Sequence, residues 1–349
     1  SYAREIGFAV KPLPYGNSVY DGAQALDREQ LRALKDEFEQ RQQRLERACT
    51  ARRDISVADA LSASRSNRSS QWTDAFNLWQ GPVSAGIDLN DWSVLDWCAS
   101  RAGEDWYAHA VFGALIANFG RAIPVHLRTW AELISWSGRA VEEKNDRGSI
   151  SAKAAIVTIP VSVLKAGFLQ FTPALPNWKL RALDGMVTAH YTKVLLKFQS
   201  EIVEQPHGSW IAHKVDGREG FSYWYNPGGH GVTHAIAGGS FALELELAGA
   251  DEAVDVALSQ LREIIGTSVD EAFVEGTATV WSQDPYARGA WVQARPGHAD
   301  ARGALLRPLA GRVFFAGEAN HDVVPTTAGG AAIVGDAVGR HLAGAIGRL

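Results

Sequence analysis

Apolar residues recur at helical spacing in several parts of the chain. Between residues 27 and about 48, leucine and phenylalanine fall on one face and charged residues on the other, and Asp27 with Gln30 forms a capping box. A second amphipathic helix is predicted over 251–265, ended by Gly266. Shorter helices are predicted at 57–61, 89–100 and 113–119. The first hundred residues are therefore predicted to be mainly helical.

Short apolar or alternating runs predict the strands, which concentrate after residue 120. The predicted strands are 125–127, 133–136, 154–160, 191–198, 221–226, 233–237, 277–281 and 313–316. Turns are predicted at 137–138 and 146–148, and a polar loop at 64–70. The pattern therefore predicts a chain that contains both strands and helices.

The segment after residue 312 carries the strongest local signal. An apolar strand at 313–316 breaks at Gly317 and Glu318, and the chain then restarts at Pro325 as a helix rich in small residues. Proline is well suited to a first helical turn, where its missing N–H would have no partner. Free N–H groups and the helix dipole at such a start favour an anionic or electron-rich ligand. Strand–loop–helix units of this kind bind cofactors at the carboxyl edge of open α/β sheets.

Composition sets broad bounds. The chain has 349 residues, 46% of them hydrophobic and 21% charged, which is ordinary for a globular protein, and its length predicts two domains. A net charge of −5 gives no sign of a nucleic-acid partner, and no apolar run reaches the ~18 residues of a membrane span. Cys49 and Cys98 lack metal-site spacing and are either free or paired; we favour reduced, buried thiols.

The C-terminal segment resembles the signature of the flavin-dependent amine oxidases. This family includes monoamine and polyamine oxidases, many L-amino-acid oxidases and amine-oxidase-type histone demethylases, and its signature reads R-L-F-F-A-G-E, a loop, then P-x-T-x-x-G-A. The matching positions are residues 312–318, Pro325, Thr327, Gly330, Ala331 and Gly335. Residues 161–200 also resemble the family, through V-L-K-A-G, F-T-P-A-L-P-N-W-K and T-K-V-L-L-K-F.

This resemblance implies a fold and a domain order. The expected fold is α/β, with an incomplete glutathione-reductase-like FAD-binding domain and a substrate domain of mixed sheet plus helices. Residues 1–112 would be the helical part of the substrate domain and 161–300 its sheet part. Residues 113–160 and 301–349 would be the middle and C-terminal parts of the FAD-binding domain.

The family's first nucleotide-binding unit has no match here. Residues 1–7 resemble the segment that follows that unit, and the nearest glycine cluster, 228–231, lacks the third glycine of G-x-G-x-x-G and is predicted to be a turn. We therefore expect a chain that is truncated, cleaved or incomplete at its N-terminus. Residues 110–113, Ala-Val-Phe-Gly, also depart from the family's G-G-Y-G, which weakens the cofactor prediction.

The resemblance also assigns site residues. Lys193 corresponds to the lysine that holds a water beside flavin N5, with Lys197 on the same strand face as the alternative. The implied FAD contacts are Gly317 and Glu318 at the ribityl–pyrophosphate part, the N–H groups of Thr327, Ala328 and Gly329 at N1/O2, Ala131 at the adenine, and Trp281 and Tyr286 beside the isoalloxazine. The implied substrate-cavity residues are Trp291, Trp224 and Val324, with core packing as the alternative for each aromatic residue.

The implied reaction is oxidation of the C–N bond of a small amine, with O₂ as the acceptor. Hydride loss from the α-carbon would give an imine, which water converts to an aldehyde or keto product, and H₂O₂ would be released. Val324 and Gly329 replace an aromatic residue and a histidine found in relatives, so no particular amine is indicated.

Three alternatives stay open. One is a related flavoenzyme that desaturates C–C bonds. Another is a non-catalytic or split subunit that binds flavin only with a separate chain carrying the nucleotide-binding segment. The third is a degenerate homologue without flavin. A homodimer is an open option for assembly, and a cytoplasmic location is favoured without being fixed by the sequence.

Overall fold

A computed structural model describes residue 3 and residues 7–12, 17–62, 70–100, 106–108, 112–215 and 217–345. Most of the predicted loop at 64–70, and residues 110–111 of the Ala-Val-Phe-Gly segment, lie outside these residues. No helix in the described part of the chain is long and apolar enough to cross a lipid bilayer.

The described part of the chain contains both strands and helices, in runs of one to five of the same kind. The strands are β1 (Val10–Pro12), β2 (Asn17–Asp21), β3 (Gln24–Ala25), β4 (Trp106–Ala108), β5 (Leu133–Ser135), β6 (Val141–Asn145), β7 (Gly148–Ala152), β8 (Ala155–Val157), β9 (Gln170–Thr172), β10 (Met186–Thr188), β11 (Tyr191–Phe198), β12 (Trp210–His213), β13 (Ser222–Trp224), β14 (Val232–Gly238), β15 (Phe273–Ala278), β16 (Val292–Ala294) and β17 (Val313–Phe315). The helices are α1 (Arg28–Ala51), α2 (Val57–Ser62), α3 (Thr73–Leu78), α4 (Val94–Ala99), α5 (Phe112–Gly120), α6 (Val161–Lys165), α7 (Asn177–Asp184), α8 (Gly239–Ala248), α9 (Ala250–Ile265), α10 (Ser268–Ala272), α11 (Ala301–Leu306) and α12 (Ala328–Ala345).

A seven-stranded sheet forms the centre of the molecule, in the order β15-β11-β14-β13-β12-β2-β3. Along β11, side chains alternate between fully buried and partly exposed, as expected for a strand covered on one face only. The buried face packs against α8 and α9, and its core includes Val194, Leu196, Leu245 and Leu258. The opposite face carries Lys193.

A separate two-stranded parallel sheet lies outside the seven-stranded sheet. β17 pairs with β8, with Phe314 opposite Ile156, and α12 packs on β17 through Phe314, Val334 and Val338. A four-stranded sheet, β7-β6-β5-β9, lies beside it. Parallel strands covered by a following helix are the α/β arrangement that the sequence predicts.

Several predicted boundaries are wrong. Residues 125–127 form no strand, and Val125 and Leu127 are largely exposed, because no other described segment pairs with them. β15 ends at Ala278, so Trp281 lies in a turn. The helix predicted from residue 89 begins at Val94, after a Ser93 cap whose hydroxyl accepts the Asp96 N–H.

The prediction of reduced cysteines is also wrong. Cys49 of α1 and Cys98 of α4 form a disulfide, with their Cα atoms 5.8 Å apart. The two residues are 49 positions apart in the sequence and meet only because α1 packs against α4. Closing a loop of this length reduces the conformational freedom of the unfolded chain.

Candidate active site

A cavity of about 340 Å³ opens where the two parallel strands end. Gly317 and Glu318, which follow β17, line it together with Pro160, which follows β8. Gly317 has φ 149°, a region that favours glycine. The structure thus brings these two predicted cofactor residues to the carboxyl edge of the parallel pair, where open α/β sheets bind ligands.

The start of α12 lies beside this cavity, three residues later than predicted. Thr327, not Pro325, is the capping residue: its Oγ1 accepts the Gly330 N–H at 2.9 Å and donates to the Val324 carbonyl at 2.9 Å. A Cβ on Gly330 would lie only 2.1 Å from that carbonyl oxygen, so only glycine allows the chain to fold back this closely. Ala328 and Gly329 open the helix, where N–H groups lack intrahelical partners.

Glu318 is a partly buried carboxyl side chain in the lining of this cavity. Its Oε2 accepts the Thr326 N–H at 3.1 Å, and Thr326 itself has a left-handed backbone, φ 62°. Burial raises the pKa of Glu318 to about 7, and the charge of Arg302 opposes the shift without cancelling it. Glu318 therefore changes charge close to neutral pH.

The raised pKa of Glu318 predicts a loss of stability as pH rises. The folded chain holds the Glu318 proton up to about pH 7, whereas the unfolded chain releases it near pH 4.5. Between these values the free energy of unfolding should fall by roughly 3 kcal/mol because of this group. We expect Glu318→Gln to remove that part of the fall and to be more stable than wild type at pH 8. Denaturant unfolding of both proteins at pH 5 and pH 8 measures the fall in the free energy of unfolding with pH and the difference in stability at pH 8. Equal pH dependence in both proteins would contradict the prediction, and Glu252→Gln, on the exposed side of α9, is the control.

A second cavity, of about 1020 Å³, contains two further predicted cofactor residues, Ala131 and Tyr286. The Tyr286 ring packs 4.6 Å from the Trp130 ring. Trp281 and Tyr286 are 49% and 54% exposed in the turns after β15, so neither packs in the core. Flat aromatic surfaces left open in this way suit a planar ligand.

A buried carboxylate that the sequence did not single out binds the turn at residues 281–283. Glu246 of α8 accepts the Thr192 hydroxyl at 2.6 Å and the Ser282 N–H at 2.7 Å. The Ser282 hydroxyl also lies 2.8 Å from His190 Nδ1. The position of Trp281 therefore depends on a carboxylate from another element. No sequence signal marked Glu246, because Glu244 two positions earlier looks the same and is exposed.

The structure separates the two candidate lysines on β11. Lys197 pairs with Glu275 at 3.1 Å, and the side chains are 49% and 69% exposed, so Lys197 has a surface role. Lys193 is partly buried, and burial lowers the pKa of its amine. Since removal of an amine from water has a cost, Lys193 is the residue that calls for a functional explanation.

A row of aromatic rings crosses the same sheet face. Trp79 packs 6.2 Å from Trp210, which stacks 5.8 Å from Trp224, and Trp224 meets His234 edge-on at 5.4 Å. Burial and the charge of Lys193 lower the pKa of His234 to about 4, so its imidazole is neutral at physiological pH. Trp224, a predicted substrate-cavity residue, therefore lies on the same sheet face as Lys193 and is separated from β11 by one strand. Trp210 and His234 were missed because only strand pairing places them there.

The remaining two predicted substrate-cavity residues lie in different places. Trp291 packs 5.0 Å from Tyr191, the first residue of β11, and donates to the Ala85 carbonyl at 2.8 Å. Val324 lies instead in the loop before α12, where its N–H donates to His321 Nδ1 at 3.1 Å. Trp291 therefore contacts β11, the strand that carries Lys193, whereas Val324 lies beside the start of α12.

Comparison with known proteins connects this geometry to one family. The family model for flavin-containing amine oxidoreductases matches residues 12–338. Polyamine oxidase 5 of Oryza sativa subsp. japonica is 27% identical over 264 residues, which cover 67% of this chain and 52% of that protein. Lysine-specific histone demethylase 1 homolog 3 of Arabidopsis thaliana is 25% identical over 265 residues, 71% of this chain and 16% of that protein. The chain thus spans about half the length of the first relative and less of the second.

Solved structures show the same fold. A putrescine oxidase with putrescine bound superposes with a TM-score of 0.81 at 14% identity, over 98% of this chain and 84% of that one. The predicted α/β fold with a mixed-sheet and helical part is confirmed by this likeness. The flavin cofactor expected from the resemblance is confirmed by the family model. The family match extends over both the parallel-strand cavity and the Lys193 sheet. This chain therefore belongs to the flavin-containing amine oxidoreductases.

Proposed function

We propose that this protein oxidises the C–N bond of an amine to an imine, with FAD as cofactor and O₂ as acceptor, and that an aldehyde or keto product and H₂O₂ result. The observation that carries the proposal is Lys193, a partly buried amine that lies beside aromatic rings and within the segment that resembles the family.

The residues of the parallel-strand cavity fit the cofactor. Gly317 and Glu318 would hold its ribityl–pyrophosphate part, and the opening N–H groups of α12, at Thr327, Ala328 and Gly329, would stabilise negative charge on its ring. When bound, FAD would supply the acceptor for a hydride from the carbon beside the amine nitrogen and the means of passing electrons to oxygen. We assign residues 113–160 and 301–349 to this cofactor part, and 1–112 and 161–300 to the substrate part.

The second cavity supplies the remaining cofactor contacts in this proposal. In this cavity the backbone at Ala131 would contact the adenine and the half-exposed ring of Tyr286 would cover the isoalloxazine, together with Trp281, which lies exposed outside the cavity lining. Glu246 would keep these rings in place through its bond to the Ser282 N–H.

On the sheet face, the protein's own groups favour an uncharged amine. The positive charge of Lys193 repels an ammonium ion, and the neutral His234 brings no compensating negative charge. Trp224 and Trp291 offer apolar walls, which bind a neutral amine better than a hydrated cation. No strong base is needed if the amine arrives deprotonated. Lys193 would also hold a water and stabilise the anion formed when oxygen takes up an electron.

One surface is suited to the nucleotide-binding segment, whether that segment belongs to the same polypeptide or to a separate chain. Phe112, Ile116 and Phe119 of α5 are each about half exposed, and β8 pairs only with β17 among the described strands. Exposed apolar side chains together with a free strand edge are typical of a surface that another segment covers. We propose that the nucleotide-binding segment packs here, as part of the same polypeptide or as a separate chain.

Purified natural protein tests the proposal through its visible spectrum, its intact mass and amine-dependent peroxide release. A flavin spectrum, a mass above the 37.7 kDa of this chain and peroxide release with amines would support the oxidase in a single polypeptide. Flavin that binds only when a second chain is present would support the split subunit. A colourless protein of 37.7 kDa, or flavin without peroxide from any amine, would overturn the oxidase proposal.

A further inference from the structure

An apolar pocket of about 360 Å³ lies between the helices α1 and α3 and the strands β2, β12 and β13. Its apolar lining includes Leu31, Leu34, Phe38, Trp79, Val83 and Trp210. Pockets of this size that are lined mainly by apolar side chains, with a few polar groups, are typical of small-molecule sites.

The polar groups of the pocket are uncharged or positive. Ser222 is 2% exposed, and its Oγ has no hydrogen-bond partner among the described residues. His213 also lines the pocket; burial lowers the pKa of its imidazole, and the charge of Glu263 and a hydrogen bond with Gln260, neither of them lining residues, oppose that shift. Lys35 lines the rim, and none of the described lining residues carries a carboxylate. A ligand group here is therefore stabilised if it is neutral and destabilised if it is a cation.

The pocket and Lys193 share one face of the sheet. Ser222 pairs with Ile236, and Ile236 pairs with Lys193, so the three side chains project from the same side. Two strand spacings separate Ser222 from Lys193, about 10 Å. Trp79 and Trp210 line the pocket and continue as the aromatic row to His234 beside Lys193.

We propose that this pocket binds the tail of the amine substrate and selects amines with a long uncharged tail over diamines and polyamines. The inference rests on the proposed function, because it takes Lys193 to mark the reacting end. Each methylene buried in the pocket should tighten binding about fourfold. A second ammonium group placed there, without a carboxylate partner, should weaken binding about 100-fold.

The test compares n-octylamine with 1,8-diaminooctane, which share a chain length and differ in the charge at the far end. Anaerobic calorimetry on the flavin-loaded full-length protein gives Kd, and peroxide release gives kcat/KM. We expect n-octylamine to be favoured about 100-fold in both. Leu34→Glu places a carboxylate in the pocket and should reduce that preference to about tenfold or less. Leu31→Glu, at the more exposed rim, serves the same purpose if the first variant does not fold.

Leu247→Glu is the matched control, since Leu247 lies exposed on α8, outside the residues that line the pocket. It should leave the preference unchanged. Tighter or equal binding of the diamine, or a preference that neither pocket variant changes, would overturn the inference. Failure of the proposed function gives a different result: n-octylamine would bind with the expected preference, but no amine would yield peroxide.

Discussion

Lys193→Met should slow the reaction of the reduced cofactor with oxygen by about 10²- to 10³-fold. Oxygen becomes an anion on accepting its first electron, and the partly buried ammonium of Lys193 stabilises a nearby negative charge more strongly than an exposed one would. Stopped-flow mixing of amine-reduced protein with oxygenated buffer measures this rate separately from amine oxidation. The rate of reoxidation by oxygen should be lower in the variant, whereas the rate of reduction by amine should change less.

Lys197→Met is the matched control for this effect. Lys197 lies on the same strand and the same face as Lys193, but it is exposed and paired with Glu275. Its loss should leave the oxygen reaction near the wild-type rate. Lys193→Arg, which keeps the positive charge, should recover part of the lost rate. Normal oxygen reactivity in Lys193→Met would show that Lys193 does not have the proposed role.

Asp96→Ala is expected to have the largest effect on stability, a decrease of about 3–5 kcal/mol in the free energy of unfolding. Asp96 and Arg302 are both buried, and their two parallel bonds measure 2.6 Å and 3.0 Å. Asp96 also accepts the Ala294 N–H at 3.0 Å. Removal of the carboxylate leaves the guanidinium of Arg302 buried without its hydrogen-bonded partner, which costs more than the lost contacts alone.

Equilibrium denaturation of wild type and variant measures this loss, and an exposed pair provides the control. Arg262 and Asp270 form a bond of similar length, 2.6 Å, at the surface, so Asp270→Ala should change stability far less. If Asp96→Ala does not fold, the double variant Asp96→Leu/Arg302→Met still tests the explanation, because it removes both charges and should recover much of the loss. Equal effects of Asp96→Ala and Asp270→Ala would contradict it.

Features that depend on neighbouring residues were predicted from the sequence. The capping box of Asp27 and Gln30 is present, with the Asp27 carboxylate accepting the Gln30 N–H at 2.8 Å and Gln30 bonding back at 3.0 Å. The strand predicted at 191–198 has the observed bounds of β11, and the helix predicted at 251–265 differs from α9 by one residue. Caps and periodicity act over a few residues, so the sequence alone contains them.

The end of β17 shows where local prediction stops. The sequence placed a strand, a break and a helix there, and all three are present. The sequence predicted that the helix begins at Pro325. In the structure it begins at Ala328, because of the Thr327 cap and the close contact of Gly330 with the Val324 carbonyl. Proline is permitted at a first turn, but a side-chain cap and a tight backbone contact decide which residue begins the helix.

The sequence by itself determined the family, the long helices α1, α9 and α12, some of the strands, and a choice between two lysines. Only the tertiary structure decided that Lys193 is the partly buried one, that Cys49 meets Cys98, and that Ser222 faces an apolar pocket. Burial, pairing and charge environment depend on residues tens to hundreds of positions away, which a local pattern does not record. The chemistry of a side chain is set by those distant neighbours, because they remove water and place charges around it.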